Sequence, residues 1–501
     1  MANNLTVTMN DDNFNISTGT NVVYLNTTTA VYPQVSGKYK YRFLIELTYN
    51  ENIGGGVGNT KTISFTQQVS YQKVGNSYAT FDLSQIYQTI VTPQITNARL
   101  VQKSGGFSQE FYDNIHLLPS QGAGSNNYFT PGLLEDSQGM GAFRGVANVM
   151  TLNFYEMYSD TEDGVPVKQG TSDVFKVFMF WGRGQEEDGV IFDFTPYKLT
   201  GSTKKLLSSN YNLSSSDTIS NIDIGLNDYH TLAFLNLCEI NLTAEPYKVV
   251  VEYYTSSGYI LGTLEIENTN TNGGKYTTIT DTEFFYLYFG AGLENLQKLD
   301  TSDAGVTGTL PDSVGGGRSA IKSYSIVIKN SSDVARSIIY NFNVVDYCNQ
   351  YDVSRLSYMN RFGAWEYINL NKERTDELNV KKEYLTSPLI NQRSLQNLVS
   401  FDPTAINTAY PLNNAKQGKT ATSVSSEITT TMFTDYLDDA GVEQIKDIMM
   451  SPQIHLLDGE NAKALILEKT SFRMKREKNR GLYQYELKFK FANPKFRTTL
   501  G

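Results

Sequence analysis

The chain has 501 residues with a formal net charge of −10, 19% of them charged, and it carries 33 Tyr and 26 Phe against 2 Trp, 2 Cys and 3 His. Cys238 and Cys348 cannot staple so long a chain and have no partner at metal-ligand spacing, so neither a disulfide framework nor a zinc module is expected. The acidic balance argues against a nucleic-acid coat or a polybasic membrane binder, because phosphate neutralisation needs clustered Lys and Arg.

With 40% hydrophobic residues the chain has enough apolar surface for several cores, about three to four domains at usual sizes. No stretch of about 18 apolar residues occurs, so no membrane-spanning helix is expected. The start, Met1-Ala2-Asn3-Asn4-Leu5-Thr6, has neither a cationic nor an apolar region, and no secretory signal is expected there.

The first clear element is 39–49, where Tyr41, Phe43, Ile45, Leu47 and Tyr49 alternate with mostly polar residues. Period-two alternation predicts a strand with one buried face. A loop with Gly54, Gly55, Gly56 and Gly58 leads into a second strand around 63–71, the pattern of a hairpin with a long tip. Asp82 and Gln85 stand in a capping-box arrangement before Leu83, Ile86, Tyr87 and Ile90, which predicts a short helix closed by Pro93. Residues 103–145 are rich in Gly, Ser, Asn and Gln and read as a long irregular excursion, of the kind that has a contact role or is disordered. Strand character returns at 149–158 and 174–180, and the serine-rich stretch 201–221 has linker composition.

Further strands are predicted at 232–240, 247–254, 260–266, 284–289, 324–328 and 338–345. No helical crossovers of adequate length separate them, so an antiparallel sandwich is expected rather than a βαβ fold. Beyond a Ser/Thr/Asn-rich segment at 403–430, Val442, Ile445, Ile448 and Met449 predict an amphipathic helix stopped at Ser451-Pro452, and Tyr483 to Phe491 alternates as a strand. The expected fold is mainly β: multidomain antiparallel β-sandwiches with a small C-terminal α+β module. The expected segments are an N-terminal β-rich domain at 1–200 with its long loop at 103–145, a linker at 201–228, a second sandwich at 229–374, an irregular connection at 375–430 and the α+β module at 431–501.

Chemical motifs are sparse. His116, His230 and His455 belong to no HExxH-type array, and each reads as a surface or loop histidine. Neither a GxSxG elbow nor a Walker-A loop is present. The run Gly315-Gly316-Gly317 before Arg318 reads as a loop rather than an anion cradle. The cluster Glu186-Glu187-Asp188 reads as a solvated turn, although paired carboxylates are also what a glycosidase needs. No catalytic, cofactor-binding or metal-binding residue is assigned, and no cofactor is expected. The abundant tyrosines suit protein interfaces and sugar platforms alike, while many must be core. One run stands out, Tyr358 to Tyr367, with Asn360, Arg361, Phe362, Gly363 and Trp365. It is read as a structural motif, a strand-turn corner with Arg361 bonded to backbone carbonyls and Trp365 plugging the core, in preference to a ligand site.

The sequence Leu356-Ser357-Tyr358-Met359-Asn360-Arg361-Phe362-Gly363-Ala364-Trp365-Glu366-Tyr367 resembles an LNRFG-type segment of virion structural proteins from crAss-like and related short-tailed bacteriophages. The strand Lys40-Tyr41-Arg42-Phe43 followed by Phe81-Asp82-Leu83-Ser84 resembles their opening, and the helix ending Met450-Ser451-Pro452 with its following strands resembles their closing module. Tyr358-Met359 stands where a Trp-Leu-like pair is usual, and Ala364 where Gly often is. The resemblance implies a non-enzymatic tail component, a tail hub or otherwise a neck ring between portal and tail, assembled in the host bacterial cytoplasm. Its implied partners are further copies of itself in a ring, other tail, neck or portal proteins, and passing DNA that it does not bind specifically. No membrane is implied. The competing readings are a glycan-binding adhesin with tyrosine platforms and a polysaccharide-degrading enzyme.

Overall fold

A computed structural model describes residues 5–9, 14–16, 22–27, 38–51, 59–68, 70–71, 77–91, 94–95, 99–103, 106–110, 116, 129–131, 143–144, 147–183, 194–208, 219–235, 248–267, 286–302, 305–346, 351–386, 419–437, 439–459, 461–468, 484–492 and 496–499. The protein is mainly β, built from several sheets whose strand pairs are almost all antiparallel. Cys238, Cys348 and the cluster Glu186-Glu187-Asp188 lie outside the described residues.

The chain divides into two compact units. The first comprises Met1–Cys348, Arg355–Asn369 and Asp438–Ala462. Its largest N-terminal sheet runs in the order Phe14–Ile16, Val167–Phe180, Ala147–Ser159, Tyr39–Glu51 and Asn59–Gln68. The alternation in 39–49 has the expected consequence: Tyr41, Phe43, Ile45 and Leu47 are buried and Arg42 is exposed. They share a core with Val23, Leu25, Ala79 and Phe81 of a four-stranded sheet, and with Tyr87 of the helix Ser84–Ile90. The Ser84 hydroxyl and, after it, the Ser84 backbone N–H at 2.9 Å both donate to Asp82, which holds its carboxyl below the ordinary carboxylate value.

A six-stranded sheet runs Ile219–Ile224, Ile339–Val344, Ser323–Lys329, Lys248–Tyr254, Ile260–Glu267 and Val306–Gly308. Between the two cores lies a three-stranded layer, Phe129–Pro131, Tyr286–Gly290 and Thr231–Leu235. Every residue of its last two strands is buried, and alternate side chains go to opposite sides. Tyr286, Tyr288, Ala233 and Leu235 join the first core, while Leu287, Phe289, Leu232 and Phe234 join the second. A continuous apolar run is what a strand buried on both faces requires.

That shared layer corrects the segment boundaries expected from composition. The described first part of the serine-rich stretch, 201–208, is no free linker, because Leu206 enters the second core and Leu207 the first. The excursion 103–145 supplies Gly106–Glu110, paired with Arg99–Lys103, and Phe129–Pro131, paired with Tyr286–Gly290. Short strands rich in small polar residues carry too few periods to be read from hydropathy. The helix Asp439–Met450, with Val442, Ile445 and Ile448 buried, and the strand Ile454–Asp458 belong to the first unit, so the expected module 431–501 is divided.

The second unit comprises Asn349–Ser354, Leu370–Leu437 and Lys463–Gly501. Its sheet places Asn461–Leu467, Glu486–Phe491, Lys419–Phe433 and Arg374–Thr386 in that order, and Phe496–Thr499 pairs farther along Lys419–Phe433. The expected irregular connection at 375–430 therefore contains two long strands, paired from Arg374↔Met432 to Thr386↔Lys419. Their polar, threonine-rich composition hides them from hydropathy, although β-branched Thr suits a strand. Among the described residues its buried apolar side chains are Leu370, Met432, Leu465, Leu487 and Phe489.

Candidate functional site

The singled-out run forms a corner between the strands Ser354–Met359 and Trp365–Leu370. Asn360 N–H donates to the Ala364 carbonyl at 2.8 Å and Gly363 N–H to the Asn360 carbonyl at 3.1 Å. The Asn360 side chain then fastens the turn from within. Its Oδ1 accepts the N–H groups of Phe362 (2.9 Å) and Ala364 (3.0 Å), and its Nδ2 donates to the Leu207 carbonyl (3.0 Å) and Glu366 Oε1 (2.8 Å). Asn is one of few side chains that can donate and accept in this way at once. Gly363 takes φ +77°, a conformation that a Cβ would strain.

Neighbouring elements fasten to the same turn. Tyr286 Oη donates to the Phe362 carbonyl at 2.9 Å, Tyr288 Oη to the Gly363 carbonyl at 2.6 Å, and Arg183 N–H to the Arg361 carbonyl at 2.8 Å. Phe362 is buried against Tyr197, with ring centres 4.8 Å apart. The Arg361 guanidinium lies 4.7 Å from the Phe362 ring centre, while Arg183 reaches Asp447 at 3.3 Å. Burial is the main cause that lowers the Arg183 basicity, offset by Asp447.

Behind this corner the three histidines gather, none of them at the surface: His116 is 1% exposed, His230 2% and His455 9%, although His230 does stand in a loop, just before the strand Thr231–Leu235. The strand register explains how. Period-two spacing puts Arg355, Ser357 and Met359 on one face of their strand, and Ser357 stands directly opposite His455. On the adjoining strand, Trp365, Tyr367 and Asn369 share a face by the same rule. His116 Nε2 lies 3.1 Å from Ser357 Oγ and 3.3 Å from His455 Nδ1; its Nδ1 lies 2.8 Å from Tyr367 Oη. Tyr367 Oη also meets Thr231 Oγ1 at 2.8 Å. Trp365 stacks on His455 and meets His116 edge-on, at centre distances of 5.0 and 4.9 Å.

Asn295 closes the network by donating from Nδ2 to the His116 carbonyl (2.8 Å) and accepting the His230 backbone N–H (2.7 Å). Gly292 is required beside it, because a Cβ there would lie 2.5 Å from the Asp228 carbonyl oxygen. Arg355 donates to the Tyr229 carbonyl (2.8 Å), to Asn369 Oδ1 (2.7 Å) and to Asp228 Oδ2 (2.9 Å), so its buried charge is paired and bonded. On the opposite face Tyr358 Oη donates to Glu366 Oε2 at 2.9 Å, and Ser208 Oγ to Glu366 Oε1 at 3.2 Å.

The electrostatics follow from burial. Desolvation pushes His116 and His230 well below the ordinary imidazole value, aided at His116 by His455, Arg355 and His230 and at His230 by Arg355. Burial alone pushes His455 down to about 4. All three are therefore neutral at pH 7. Desolvation also raises the Tyr367 phenol far above its usual range, so it stays protonated as a bridge between His116 and Thr231. Chemically this arrangement is an internal hydrogen-bonded network in which most donors and acceptors face one another, while the buried Trp365 Nε1 has no hydrogen-bond partner among the described residues. Among the described residues no group of three His, Cys, Asp or Glu is placed to hold a metal ion. The glycine run leads into a 3-10 turn, Arg318–Ala320, where Arg318 pairs with Glu294 and with Asp312 at 2.7 Å.

Sequence reading singled out the corner but missed Arg355, Ser357, Tyr367 and the three histidines as one cluster. The available signal was polar residues at alternate positions inside otherwise apolar strands. No protein-family model and no curated protein matches the chain. Among solved structures, squid arrestin aligns over 70% of this chain and 96% of its own at 9% identity, with a TM-score of 0.18. A Salmonella alpha-2-macroglobulin aligns over 100% of this chain and 31% of its own at 7% identity, with a TM-score of 0.16. Similarity at that level carries no argument about fold or function.

Proposed function

We propose that the protein is a non-enzymatic structural component of a bacteriophage virion, a tail-hub ring subunit around the DNA exit channel, or otherwise a neck ring between portal and tail. The observation that carries this reading is the place of the run 356–367. The residues that resemble virion proteins are the ones on which Leu207, Tyr286, Tyr288 and Arg183 converge. A resemblance seated at such a point is one of architecture, since changes there cost stability before they touch any ligand. Tyr87, Tyr253, Tyr286, Tyr288, Tyr324, Tyr340 and Tyr358 are fully buried core residues and so form no glycan platform. No helix among the described residues is long and apolar enough to cross a membrane. The net charge of −10 suits a conduit through which duplex DNA passes without being held.

Native mass measurement of the purified protein tests the proposal. A closed ring, on the order of six or twelve chains, is expected, with no retention of duplex DNA at physiological salt. A stable monomer that binds oligosaccharide, or one that releases reducing ends from a glycan, would overturn it.

A further inference from the structure

The strand Arg374–Thr386 ends its sheet, paired on one side with Lys419–Phe433 and on the other with no strand among the described residues. All its residues are exposed, including Leu378 (57%), Val380 (46%), Tyr384 (57%) and Leu385 (62%). A long edge with exposed apolar side chains is a template for adding another strand. Lysines commonly block such edges, and Lys381 and Lys382 alone would fit that role. The charges around them point elsewhere.

We propose that this edge pairs antiparallel with the same edge of a second copy of the chain, about a two-fold axis at Asn379. A two-fold pair in one continuous sheet keeps the same face of both copies upward, so only registers centred on a residue are available. Centring on Asn379 sets Leu378 opposite Val380 of the other copy, Glu377 opposite Lys381, and Asp376 opposite Lys382. Each of these contacts occurs twice. One face of the joined sheet then carries the Leu–Val pairs flanked by Asp–Lys pairs, and the other carries paired asparagines flanked by Glu–Lys pairs. Shifting the centre to Leu378 sets Lys382 against Arg374, and shifting it to Val380 sets Glu377 against Glu383. Both neighbouring registers thus oppose like charges, so the charge pattern selects one. The bulge between Glu383 and Tyr384 bounds the regular edge.

This contact closes on itself, so a ring requires another, head-to-tail surface, and the two proposals fail separately. The test uses the full chain with Glu377→Lys and, separately, Lys381→Glu. Each reverses one charge in both symmetric Glu–Lys pairs. At tens of micromolar the wild type is expected at an even number of chains by sedimentation velocity and native mass spectrometry. Each variant alone is expected at half that mass, with self-association weakened by about tenfold or more. Mixing the variants in equal amounts restores both pairs, since each facing 377 and 381 position then again joins one lysine to one glutamate. The mixture is expected to return the wild-type mass with one copy of each variant per pair. That rescue also shows that both variants fold. A wild type with an odd number of chains, a mass unchanged by both substitutions, or a mixture that fails to recover would overturn the proposal.

Discussion

The corner at Asn360 and the edge at Asn379 use the same kinds of residue to opposite ends. At the corner, polar groups are buried and turned on one another, so that Asn360 alone reaches two backbone N–H groups, a carbonyl and a carboxylate. At the edge, charges and apolar side chains face outward along Arg374–Thr386. A buried polar group costs stability unless it is bonded, whereas an exposed one costs little and remains available to a partner. The first region should therefore respond to mutation in folding, and the second in association.

The largest expected effect is at Trp365, where Trp365→Ala should lower unfolding stability by about 3–5 kcal/mol in denaturant titration. An unchanged midpoint would place the indole outside the core and blur the contrast. Asn360→Ala should cost about 3 kcal/mol, because it strands two buried N–H groups, the Leu207 carbonyl and the Glu366 carboxylate. Acid should act on the same region. His455 is held neutral in the fold at about 4 against an ordinary 6.5. Its contribution is therefore complete above pH 6.5 and is lost as pH falls toward 4, on the order of 3 kcal/mol. His116 and His230, lowered in the same direction, add to that loss. Thermal melts between pH 7 and 4 should show it, and His455→Gln should flatten the dependence. Gly363→Ala should cost about 1 kcal/mol by forcing a side chain into positive φ. Smallest is Lys381→Glu, within about 0.5 kcal/mol for an exposed position, with its effect read in association instead. A folding loss there as large as at Asn360 would erase the distinction between the two regions.

Much of the core to which the corner belongs is legible in sequence. The alternation of Tyr41 to Leu47 and the helix with Val442, Ile445 and Ile448 follow from short-range periodicity that the fold preserves, and the burial of Trp365 follows from its place in a strand-turn corner. The histidine network is not legible, because His116 and His230, which lie outside the strands, reach His455 and Arg355 only through contacts between segments far apart in the chain. The threonine-rich strand Lys419–Phe433 carries no hydropathy signal, since hydropathy measures burial and this strand is built largely from polar residues. For the same reason the edge pattern centred on Asn379 became readable only once Arg374–Thr386 was known to be a strand with one open side.

The central claim is that this protein works by assembling. The most direct measurement is the native mass of the full-length chain at neutral pH and tens of micromolar, made alongside a glycan-binding panel. The account predicts a closed assembly of defined stoichiometry that binds no oligosaccharide. A monomer at that concentration that captures a glycan would contradict it.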